Sequence, residues 1–479
     1  MKILFTASEM APFARTGGLG DVLGALPAAL AARGHEVSVV LPCYRGLRES
    51  AEFGINSTGV EIGVQVGHKR LPAEILECQA PGGVQVFLVR RDEFFDRAAL
   101  YGEGGSGYED NAERFIYFSR AVVELARRIV PPPEIIHAHD WQTALVPVFI
   151  KERKLPFKTV LTIHNVAFQG NFWALDFGLT NLSGDYFSAK GIEFYGRINL
   201  LKGGILYADA LTTVSERYAR EIQTPPLGSG LEIVLRENAY KLTGILNGAD
   251  YATWNPATDA ILPQKFSPDS LAGKKACRDA LLAELGLAEK PAGPVFVMVT
   301  RVTGQKGFDL LLPLLDRLLA DDVRLVILGE GDPAFERELL IASKRHAERF
   351  AFREMMDDRL SHLIYAGGDA FLIPSHSEPC GLSAMYSQKY GTPPIAHATG
   401  GLYESIQDFD PTNDTGSGYL FYDDTPEAFW DAITRAKTDF RHPERWEALI
   451  KRTMRSDFSW NSAAAERYEE LYQRTLRNR

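Results

Sequence analysis

The stretch Thr16-Gly17-Gly18-Leu19 occurs a second time as Thr399-Gly400-Gly401-Leu402, and each copy stands between an apolar segment and a helical pattern. Ile3-Leu4-Phe5 precedes the first copy, and Pro394-Ile395-Ala396 precedes the second. A glycine pair at a strand-to-helix turn lets backbone approach a ligand closely, and the helix N-terminus directs N–H groups at an anion. The repeat predicts two α/β domains that face one anionic ligand, although short glycine turns also recur by chance in α/β proteins.

The composition indicates a globular enzyme with more than one domain. A chain of 479 residues is long enough for about two or three hydrophobic cores. The formal net charge of -10 argues against nucleic acid as a partner, so an anionic substrate has to meet local arginines and lysines. The four cysteines lack metal-ligand spacing, and neither a membrane span nor a signal-peptide core is evident. We therefore expect a soluble cytoplasmic protein that has no membrane partner; the oligomeric state stays open.

Strand and helix patterns alternate in two series. A hairpin region over 56–91 interrupts the first series, and a connector over 248–292 with one amphipathic helix separates it from the second. Such alternation predicts an α/β protein with two doubly wound parallel sheets. The predicted strands are 2–8, 36–42, 135–139, 159–164, 210–215, 295–300, 324–328, 371–374 and 394–397, and the predicted helices include 19–33, 110–129, 308–319, 382–390 and 446–479.

Polar residues stand directly after several of the predicted strands. In open α/β sheets, ligands bind outside the carboxyl ends of the strands. A random polar residue would fall at such a position only occasionally, so this placement predicts a binding site. The residues are Asp140, His164, Arg301 and Glu378.

The turn Arg301-Val302-Thr303-Gly304-Gln305-Lys306-Gly307 places two cations across a strand-to-helix connection. A guanidinium makes a bidentate fork to phosphate, and a lysine adds a compact charge. The two cations can therefore bind one diphosphate. The alternative is a solvated pair of basic residues at the surface.

The segment Glu378-Pro379-Cys380-Gly381-Leu382 lies between a predicted strand and a predicted helix. The N–H groups of Gly381, Leu382 and Ser383 would point at an anion, while the Glu378 carboxylate could hold sugar hydroxyls. The alternative for Glu378 is a helix-capping role. Cys380 at a helix N-terminus could be a reactive thiol, but a structural or pocket-lining role is favoured because no His–Asn pattern accompanies it.

Several other patterns carry less weight. Gly18, Gly20 and Gly24 imitate a dinucleotide fingerprint only loosely, and the G-x-G-x-x-G beginning at Gly102 follows no strand. His137 and His139 share a strand face without an evident third metal ligand, and the D-x-D beginning at Asp408 lies in a loop. His164 could be a buried structural histidine. Aromatic residues after strand ends suit stacking on sugars or ordinary core packing; they are Trp141, Phe168, Phe172 and Trp173.

Taken together, these segments resemble the bacterial glycogen synthases and plant starch synthases, glycosyltransferase family 5. Their order covers nearly the whole chain, and that joint order is more specific than any single motif. The matching stretches are Ser8-Glu9 with the first T-G-G-L, His137-Ala138-His139-Asp140-Trp141, Thr162-Ile163-His164-Asn165, Tyr218-Ala219-Arg220-Glu221-Ile222-Gln223-Thr224, Gly244-Ile245-Leu246-Asn247-Gly248, the Arg301–Gly307 turn, the Glu378–Leu382 segment and the second T-G-G-L.

The resemblance implies the GT-B fold, with two Rossmann-like domains around a deep cleft. The implied domains are an N-terminal acceptor-side domain over 1–247, a nucleotide-sugar domain over 248–456, and a last helix over 457–479 that crosses back onto the first domain. The implied reaction transfers glucose from ADP-glucose to the non-reducing 4-hydroxyl of an α-1,4-glucan such as glycogen. The anomeric configuration is retained, and neither a metal nor a cofactor is required, since ADP-glucose is a co-substrate. Retention without an obvious carboxylate nucleophile suggests front-face attack.

The resemblance also implies roles for individual residues. Arg301 and Lys306 would neutralise the diphosphate, and Glu378 would bind glucose hydroxyls. The implied catalytic residues are His164, Glu378, Asp140, Arg301 and Lys306; the implied donor-binding residues are Arg15, Gly17, Gly18, Asn247, Gln305, Cys380, Gly381, Leu382 and Ser383; and the implied acceptor-binding residues are Asp140, Trp141 and Phe168.

Three positions depart from the family pattern. Arg15 stands where the family usually has lysine. Met355-Met356 stand in the region where the family often has a tyrosine that stacks on the base. His376-Ser377 replace the usual Arg-Phe before Glu378. The residues Met355, Met356 and His376 leave the choice between ADP-glucose and UDP-glucose open, and the effect of Arg15 in place of lysine is a separate question. A pyridoxal-dependent phosphorylase and a non-catalytic glucan-binding protein are the further alternatives.

Overall fold

The computed structural model describes residues 1–289, 293–355 and 357–477. The chain forms two compact units, of which the first comprises Met1–Gly248 together with Trp460–Arg479. The second unit is Ala249–Ser459. The first unit is therefore built from two separate stretches of chain.

A nine-stranded sheet forms the core of the first unit, in the order β14-β13-β9-β8-β1-β2-β5-β4-β3. Its strands and those of two small sheets are β1 (Lys2–Thr6), β2 (Glu36–Pro42), β3 (Asn56–Val66), β4 (Lys69–Ala80), β5 (Val84–Arg90), β6 (Gly102–Glu103), β7 (Ser106–Gly107), β8 (Ile135–His139), β9 (Lys158–Ile163), β10 (Asn171–Trp173), β11 (Glu193–Phe194), β12 (Arg197–Asn199), β13 (Ala210–Thr213) and β14 (Leu242–Gly244). Its helices up to the second unit are α1 (Gly18–Ala32), α2 (Asp92–Phe95), α3 (Asn111–Ala126), α4 (Asp140–Thr143), α5 (Leu145–Glu152), α6 (Leu200–Tyr207), α7 (Glu216–Glu221) and α8 (Glu232–Glu237).

The first sheet is mixed, which differs from the prediction of a purely parallel sheet. The hairpin region over 56–91 is part of the main sheet: β5 pairs in parallel with β2, and β4 and β3 extend it antiparallel. The reason is that β3 and β4 are joined by a two-residue turn at Gly67 (φ +53°), which imposes antiparallel pairing. The remaining neighbours pair in parallel, so the carboxyl ends of β1 and β8 lie side by side.

A six-stranded parallel sheet, in the order β17-β16-β15-β18-β19-β20, forms the core of the second unit. Its strands are β15 (Val295–Val299), β16 (Arg324–Leu328), β17 (Phe350–Arg353), β18 (Ala370–Ile373), β19 (Pro394–His397) and β20 (Tyr419–Phe421). Its helices are α9 (Ala272–Leu285), α10 (Phe308–Leu311), α11 (Leu315–Ala320), α12 (Pro333–Arg345), α13 (Asp358–Gly367), α14 (Leu382–Lys389), α15 (Gly400–Ser405), α16 (Pro426–Phe440) and α17 (Pro443–Met454). These strands are almost wholly buried, as parallel strands covered by helices on both faces require.

Two helices predicted as continuous are interrupted. The predicted helix over 308–319 is split by the 3₁₀ turn Leu312–Leu314, because Pro313 supplies no backbone N–H donor. The predicted helix from 446 onward ends at Met454, and residues 455–459 leave the helix before the π-helical turn Trp460–Ala464. The sequence reading also missed the short strands β17 and β20.

The final helix, α18 (Ala465–Arg477), belongs to the first unit. It buries an apolar stripe that includes Tyr468, Leu471 and Tyr472, with the spacing of one helix face. The hydroxyl of Tyr472 lies 2.8 Å from Nδ1 of His137 on β8. None of the helices in the described parts of the chain combines the length and hydrophobicity that a bilayer crossing requires.

Candidate active site

The carboxyl ends of β1 and β8 mark the switch point of the first sheet. The chain leaves β1 toward β2 on one side, and β8 pairs with β1 on the other side. Ligands of α/β sheets bind in the crevice that forms at such a point. Glu9 follows β1 and Asp140 follows β8, so this edge carries the candidate groups of the first unit.

Glu9 fixes the first glycine loop, a role that sequence reasoning did not assign. Its buried carboxylate accepts hydrogen bonds from the Thr16 N–H at 2.7 Å, from the Thr16 hydroxyl at 2.7 Å and from the Tyr101 hydroxyl at 2.6 Å. Because these bonds hold Thr16, they set the position of Gly17 at the start of α1. An acidic residue three positions beyond the buried strand β1 was the signal in the sequence.

Arg15 lies at the same loop with its side chain 35% exposed. Its Nε donates to Asp21 Oδ1 at 2.7 Å, and its Cβ and Cγ pack beside Gly20. Gly17 and Gly18 are exposed. The loop therefore exposes to solvent the Arg15 guanidinium, fixed by Asp21, and the backbone of Gly17 and Gly18. This is the combination predicted for phosphate contact.

The three histidines of this edge are in two environments. His137 is fully buried between Tyr472 and Thr162, whose hydroxyl lies 2.7 Å from Nε2, so it is structural. His139 Nδ1 and His164 Nε2 are 2.9 Å apart, so one ring donates to the other. Burial lowers the pKa of His164 to about 3. Both rings of the pair are thus neutral at pH 7.

Asp140 has a strained backbone and a shifted carboxyl. Its φ is +55°, a left-handed value that is uncommon for residues other than glycine. Its Oδ1 accepts the His164 N–H at 2.7 Å. Burial raises the pKa of Asp140 to about 7, although the N–H groups of His164 and Asn165 lower it and the Glu9 charge raises it further. Strain and a raised pKa in one residue are typical of a functional position.

Asn247 is 4% exposed, and within the described chain its Oδ1 has no hydrogen-bond partner. A buried acceptor without a donor costs roughly 1–3 kcal/mol, so it is more often satisfied by a ligand or water than left unpaired. This observation fits the predicted place of Asn247 in a sugar pocket.

The two predicted acceptor aromatics differ in exposure. Trp141 packs against Phe115 and Phe172, with ring centroids 4.9 and 5.6 Å away, so much of it serves aromatic packing. Phe168 is 48% exposed. Of the two side chains, that of Phe168 is the more exposed.

The switch point of the second sheet lies between β15 and β18, and it brings Lys306 and Glu378 together. Lys306 Nζ donates to Glu378 Oε2 at 2.6 Å, with side-chain exposures of 16% and 11%. The Ser375 hydroxyl donates to the same oxygen at 3.1 Å. Both of these bonds end on Oε2 of Glu378.

The turn after β15 and the loop after β18 are joined through their backbones. The His376 N–H donates to the Gln305 carbonyl at 3.0 Å, and Gln305 Nε2 donates to the Ser377 carbonyl at 3.1 Å. Gly307 has φ +75°, and a Cβ there would lie 1.9 Å from the Pro374 carbonyl oxygen. Glycine is therefore required for this close approach. Gln305, predicted to bind sugar, has a structural contact as well.

The second glycine pair supports the Glu378 loop from behind. The Gly401 N–H donates to the Glu378 carbonyl at 3.1 Å. A Cβ on Gly400 would lie 2.0 Å from the Glu378 carbonyl oxygen, and one on Gly401 would lie 1.9 Å from that of Cys380. Both glycines are thus needed for packing against the loop.

Helix α14 begins directly after this loop. Gly381, at φ +79°, precedes its first residue Leu382, and Ser383 follows in the first turn. Cys380 is buried, at 8% exposure. The helix start and the Lys306–Glu378 pair belong to the same strand end of the sheet.

The other predicted features are placed as follows. Arg301 is exposed after β15, and Met355 is 49% exposed after β17, whereas Met356 lies outside the described residues. Asp408 pairs with Arg435 at 3.0 Å, which gives the D-x-D a structural role. No group of three or more metal-ligating side chains occurs among residues 1–289, 293–355 and 357–477.

Comparison with known proteins identifies the family. The model of the starch synthase catalytic domain matches residues 2–237, and that of glycosyl transferases group 1 matches residues 284–453. A glycogen synthase of Opitutus terrae is 43% identical over 99% of this chain and 100% of its own length. The chain belongs to the glycogen and starch synthase family. A glycogen synthase of Koribacter versatilis is 44% identical, with coverage of 99% and 98%.

Two solved structures agree with the architecture. The catalytic domain of starch synthase IV from Arabidopsis thaliana, bound to ADP and acarbose, superposes with a TM-score of 0.92 at 34% identity, covering 99% of both chains. A sucrose-phosphate synthase from Thermosynechococcus elongatus, at 16% identity and a TM-score of 0.62, shows the shared fold alone. The predicted family, the GT-B fold class and the assignment as a hexosyltransferase are confirmed.

Proposed function

We propose that the protein is a glycogen synthase that transfers glucose from ADP-glucose to the non-reducing 4-hydroxyl of an α-1,4-glucan, with retention of configuration. One observation carries this proposal: the Lys306–Glu378 pair lies at the switch point of the second sheet, in a chain 43% identical to a glycogen synthase over its full length. The starch synthase IV structure, which contains ADP and acarbose, supports the nucleotide and the glucan.

The second unit supplies the donor site in this proposal. Arg301 and Lys306 bind the diphosphate, and the first turn of α14, from Leu382 to Ser383, faces the distal phosphate with its N–H groups. Glu378 Oε1 accepts hydrogen bonds from glucose hydroxyls. Each of these hydrogen bonds has a charged donor or acceptor and contributes roughly 1.5–3 kcal/mol of binding free energy when it is shielded from water.

The first unit supplies the groups around the transferred glucose. Asn247 Oδ1 accepts from a sugar hydroxyl and thereby gains the partner that the described chain does not provide. His164 is neutral and held by His139, so it can donate or accept without adding charge. Asp140 faces the acceptor, Phe168 stacks on it, and Arg15 with Gly17 approaches the donor phosphate.

The chemistry needs stabilisation of a departing diphosphate and of an oxocarbenium-like glucose. Fixed cations and hydrogen-bond donors supply the first, because they are in place before charge develops. Close placement of donor and acceptor supplies much of the rest. We infer front-face attack, in which the leaving phosphate takes the acceptor proton. A trapped glucosyl adduct on Glu378 or Asp140 would contradict this step.

The proposal includes neither a metal nor a cofactor, and it places the enzyme in the cytoplasm. The four cysteines of the described chain are buried and are not joined in disulfides, as expected for a protein of a reducing compartment.

Donor turnover with glycogen as acceptor tests the function. We expect ADP release from ADP-glucose and elongation of glycogen by single α-1,4-linked residues. UDP-glucose is the second candidate donor, because Met355 stands near the position of the usual base-stacking tyrosine. A higher kcat/KM for ADP-glucose than for UDP-glucose supports ADP-glucose as the donor. A higher kcat/KM for UDP-glucose supports UDP-glucose as the donor. Glycogen binding without release of either nucleotide would refute a transferase and support a glucan-binding protein.

A further inference from the structure

The imidazole of His376 lies between two carboxylates. Its Nδ1 is 2.7 Å from the nearer oxygen of Asp424, and its Nε2 is 2.8 Å from Oδ1 of Asp309. The side chains are 30%, 44% and 52% exposed for His376, Asp424 and Asp309. This is a partly solvated ion triad at the rim of the second sheet.

The triad requires a fully protonated ring. An ionised carboxylate only accepts hydrogen bonds, and a neutral imidazole has one donor nitrogen. Because both ring nitrogens of His376 face carboxylates, both have to donate. The geometry therefore fits an imidazolium cation, and a neutral ring would lose one of the two contacts.

The three residues belong to three segments that converge at the donor site. Asp309 is on α10, directly after the turn that carries Lys306, and His376 is two residues before Glu378. Asp424 lies between β20 and α16. The His376 N–H also donates to the Gln305 carbonyl at 3.0 Å, so ring and backbone of one residue join the same segments.

We propose that His376 is a positioning residue of the donor site, whose protonated ring holds the Lys306 turn and the Glu378 loop in register and makes donor affinity depend on pH. The kinetic consequence, a KM for ADP-glucose that depends on pH, rests on the proposed function as a glucosyltransferase. His376 itself contacts neither donor nor acceptor in this account; it acts through Lys306 and Glu378.

The direction of the pH effect follows from the surroundings of the ring. Burial lowers the pKa of His376, but the hydrogen bonds and charges of Asp309 and Asp424 outweigh burial, so the net pKa is above the usual 6.5. These two carboxylates, from α10 and from the segment before α16, are the charged groups that act on the ring. The contribution of the triad to stability is complete below pH 6.5 and is lost as the pH rises through the raised pKa.

The kinetic test compares the wild type with His376→Arg and His376→Gln, over pH 6 to 9, with glycogen held saturating. Exposed ion pairs contribute up to about 1 kcal/mol, so we expect the wild-type KM for ADP-glucose to rise about two- to fivefold toward alkaline pH, with kcat nearly unchanged. His376→Arg retains a cation and should show a flatter KM profile. His376→Gln should show the raised KM throughout.

His346→Gln is the matched control. His346 Nε2 lies 3.0 Å from Asp316 Oδ1 in the same unit, in another partly exposed histidine–aspartate pair. His346 caps the C-terminus of α12 and Asp316 is on α11, away from the strand-end turns of Lys306 and Glu378, so loss of this pair should leave the KM profile as in the wild type. The inference is overturned if the KM profiles of the wild type and His376→Arg coincide. It is also overturned if His346→Gln changes the KM profile as much as His376→Gln does.

A measurement without turnover separates this inference from the proposed function. NMR of histidine-labelled protein gives the titration midpoint of His376, identified by the resonance that His376→Gln lacks. A midpoint above 6.5 supports the triad, and a midpoint at or below 6.5 overturns it. A wild type without any donor turnover defeats the proposed function, whereas the midpoint still decides the protonation on which the inference depends.

Discussion

Lys306 donates to Glu378 across 2.6 Å, although 72 residues separate them in the chain. The pair is mostly shielded from solvent, so each charge depends on the other for compensation. An arriving diphosphate can share Lys306 with Glu378, because an ammonium group has three donors. The pair thus keeps a phosphate-binding cation and a sugar-binding carboxylate in fixed positions before the donor arrives.

We expect Lys306→Ala to lower kcat/KM for ADP-glucose by about 10- to 150-fold, the equivalent of about 1.5–3 kcal/mol for a charged hydrogen bond. Lys275→Ala is the control, since Lys275 pairs with Asp279 at 2.6 Å on the exposed face of α9 in the same unit. Steady-state kinetics of both variants measure the effect. Equal losses in the two variants would contradict the assignment of Lys306 to the diphosphate.

We expect Asn247→Ala to lower donor kcat/KM by about two- to tenfold, the range for a neutral hydrogen bond, without lowering the melting temperature. The reason is that its Oδ1 lacks a partner within the described chain. Asn238→Ala is the opposite case: Asn238 is also buried, but its Nδ2 donates to the Val234 carbonyl at 2.9 Å. It should lose about 1 kcal/mol of stability and keep its activity. A large thermal loss in Asn247→Ala would assign the residue to the scaffold instead.

We expect Gly400→Ala to reduce both stability and kcat/KM, because the new methyl group would meet the Glu378 carbonyl oxygen at 2.0 Å. Gly286→Ala provides the comparison. It has φ +71° with open space around the missing Cβ, so it isolates the left-handed backbone strain of about 1 kcal/mol. Denaturation curves and kinetics of both variants separate clash from strain. Indistinguishable variants would mean that the second glycine pair does not support the Glu378 loop.

We expect Asp140 to contribute a fall in stability of up to roughly 1.4 kcal/mol per pH unit as the pH rises from 4 to 7. The native pKa of about 7 exceeds the ordinary 3.8, so over this window the native state binds more protons than the unfolded state. Asp140→Asn should remove this part of the slope, whereas Asp185→Asn, at an exposed position, should leave it. Urea denaturation at pH 5 and pH 7 measures the difference. An unchanged slope in Asp140→Asn would show that its carboxyl ionises in the folded protein as it does in water.

We expect exhaustive dialysis against EDTA to leave the rate of transfer unchanged within error. The physical reason is that Arg301, Lys306 and the first turn of α14 provide the positive charge that phosphate needs. Rates before dialysis, after dialysis and after re-addition of Mg²⁺ are compared at equal donor concentration. A loss that Mg²⁺ restores would require a metal in the mechanism.

Sequence reasoning located the edge of each sheet but not the contacts made there. Buried strands such as β8 and β16 read as apolar runs with polar residues directly after them, so Asp140 could be placed at a strand end. The three residues of β20 are too few for a periodic signal, whereas β17 is as long as the predicted strands β18 and β19 and was missed for a reason other than length. Pro313 is visible in the sequence, and the break between α10 and α11 follows from its missing N–H donor.

Long-range partners lie beyond what spacing can indicate. The contact of His137 with Tyr472 spans 335 residues, and only the packed fold brings the two together. The same holds for the three segments joined at His376: the sequence shows a histidine where the family has arginine, but neither Asp309 nor Asp424 is marked as its neighbour. Local patterns predict elements, whereas side-chain partners depend on the assembled sheet.

The return of α18 to the first unit has a consequence for biosynthesis. Helix α18 supplies Tyr468 and Tyr472 to the core of the first unit, yet it is translated after the whole of Ala249–Ser459. During synthesis, the part of the core beside β8 and β9 that α18 covers in the folded protein therefore stays exposed until the second unit has been translated. We expect the two stretches of the first unit to complete their core only after the second unit has been synthesised.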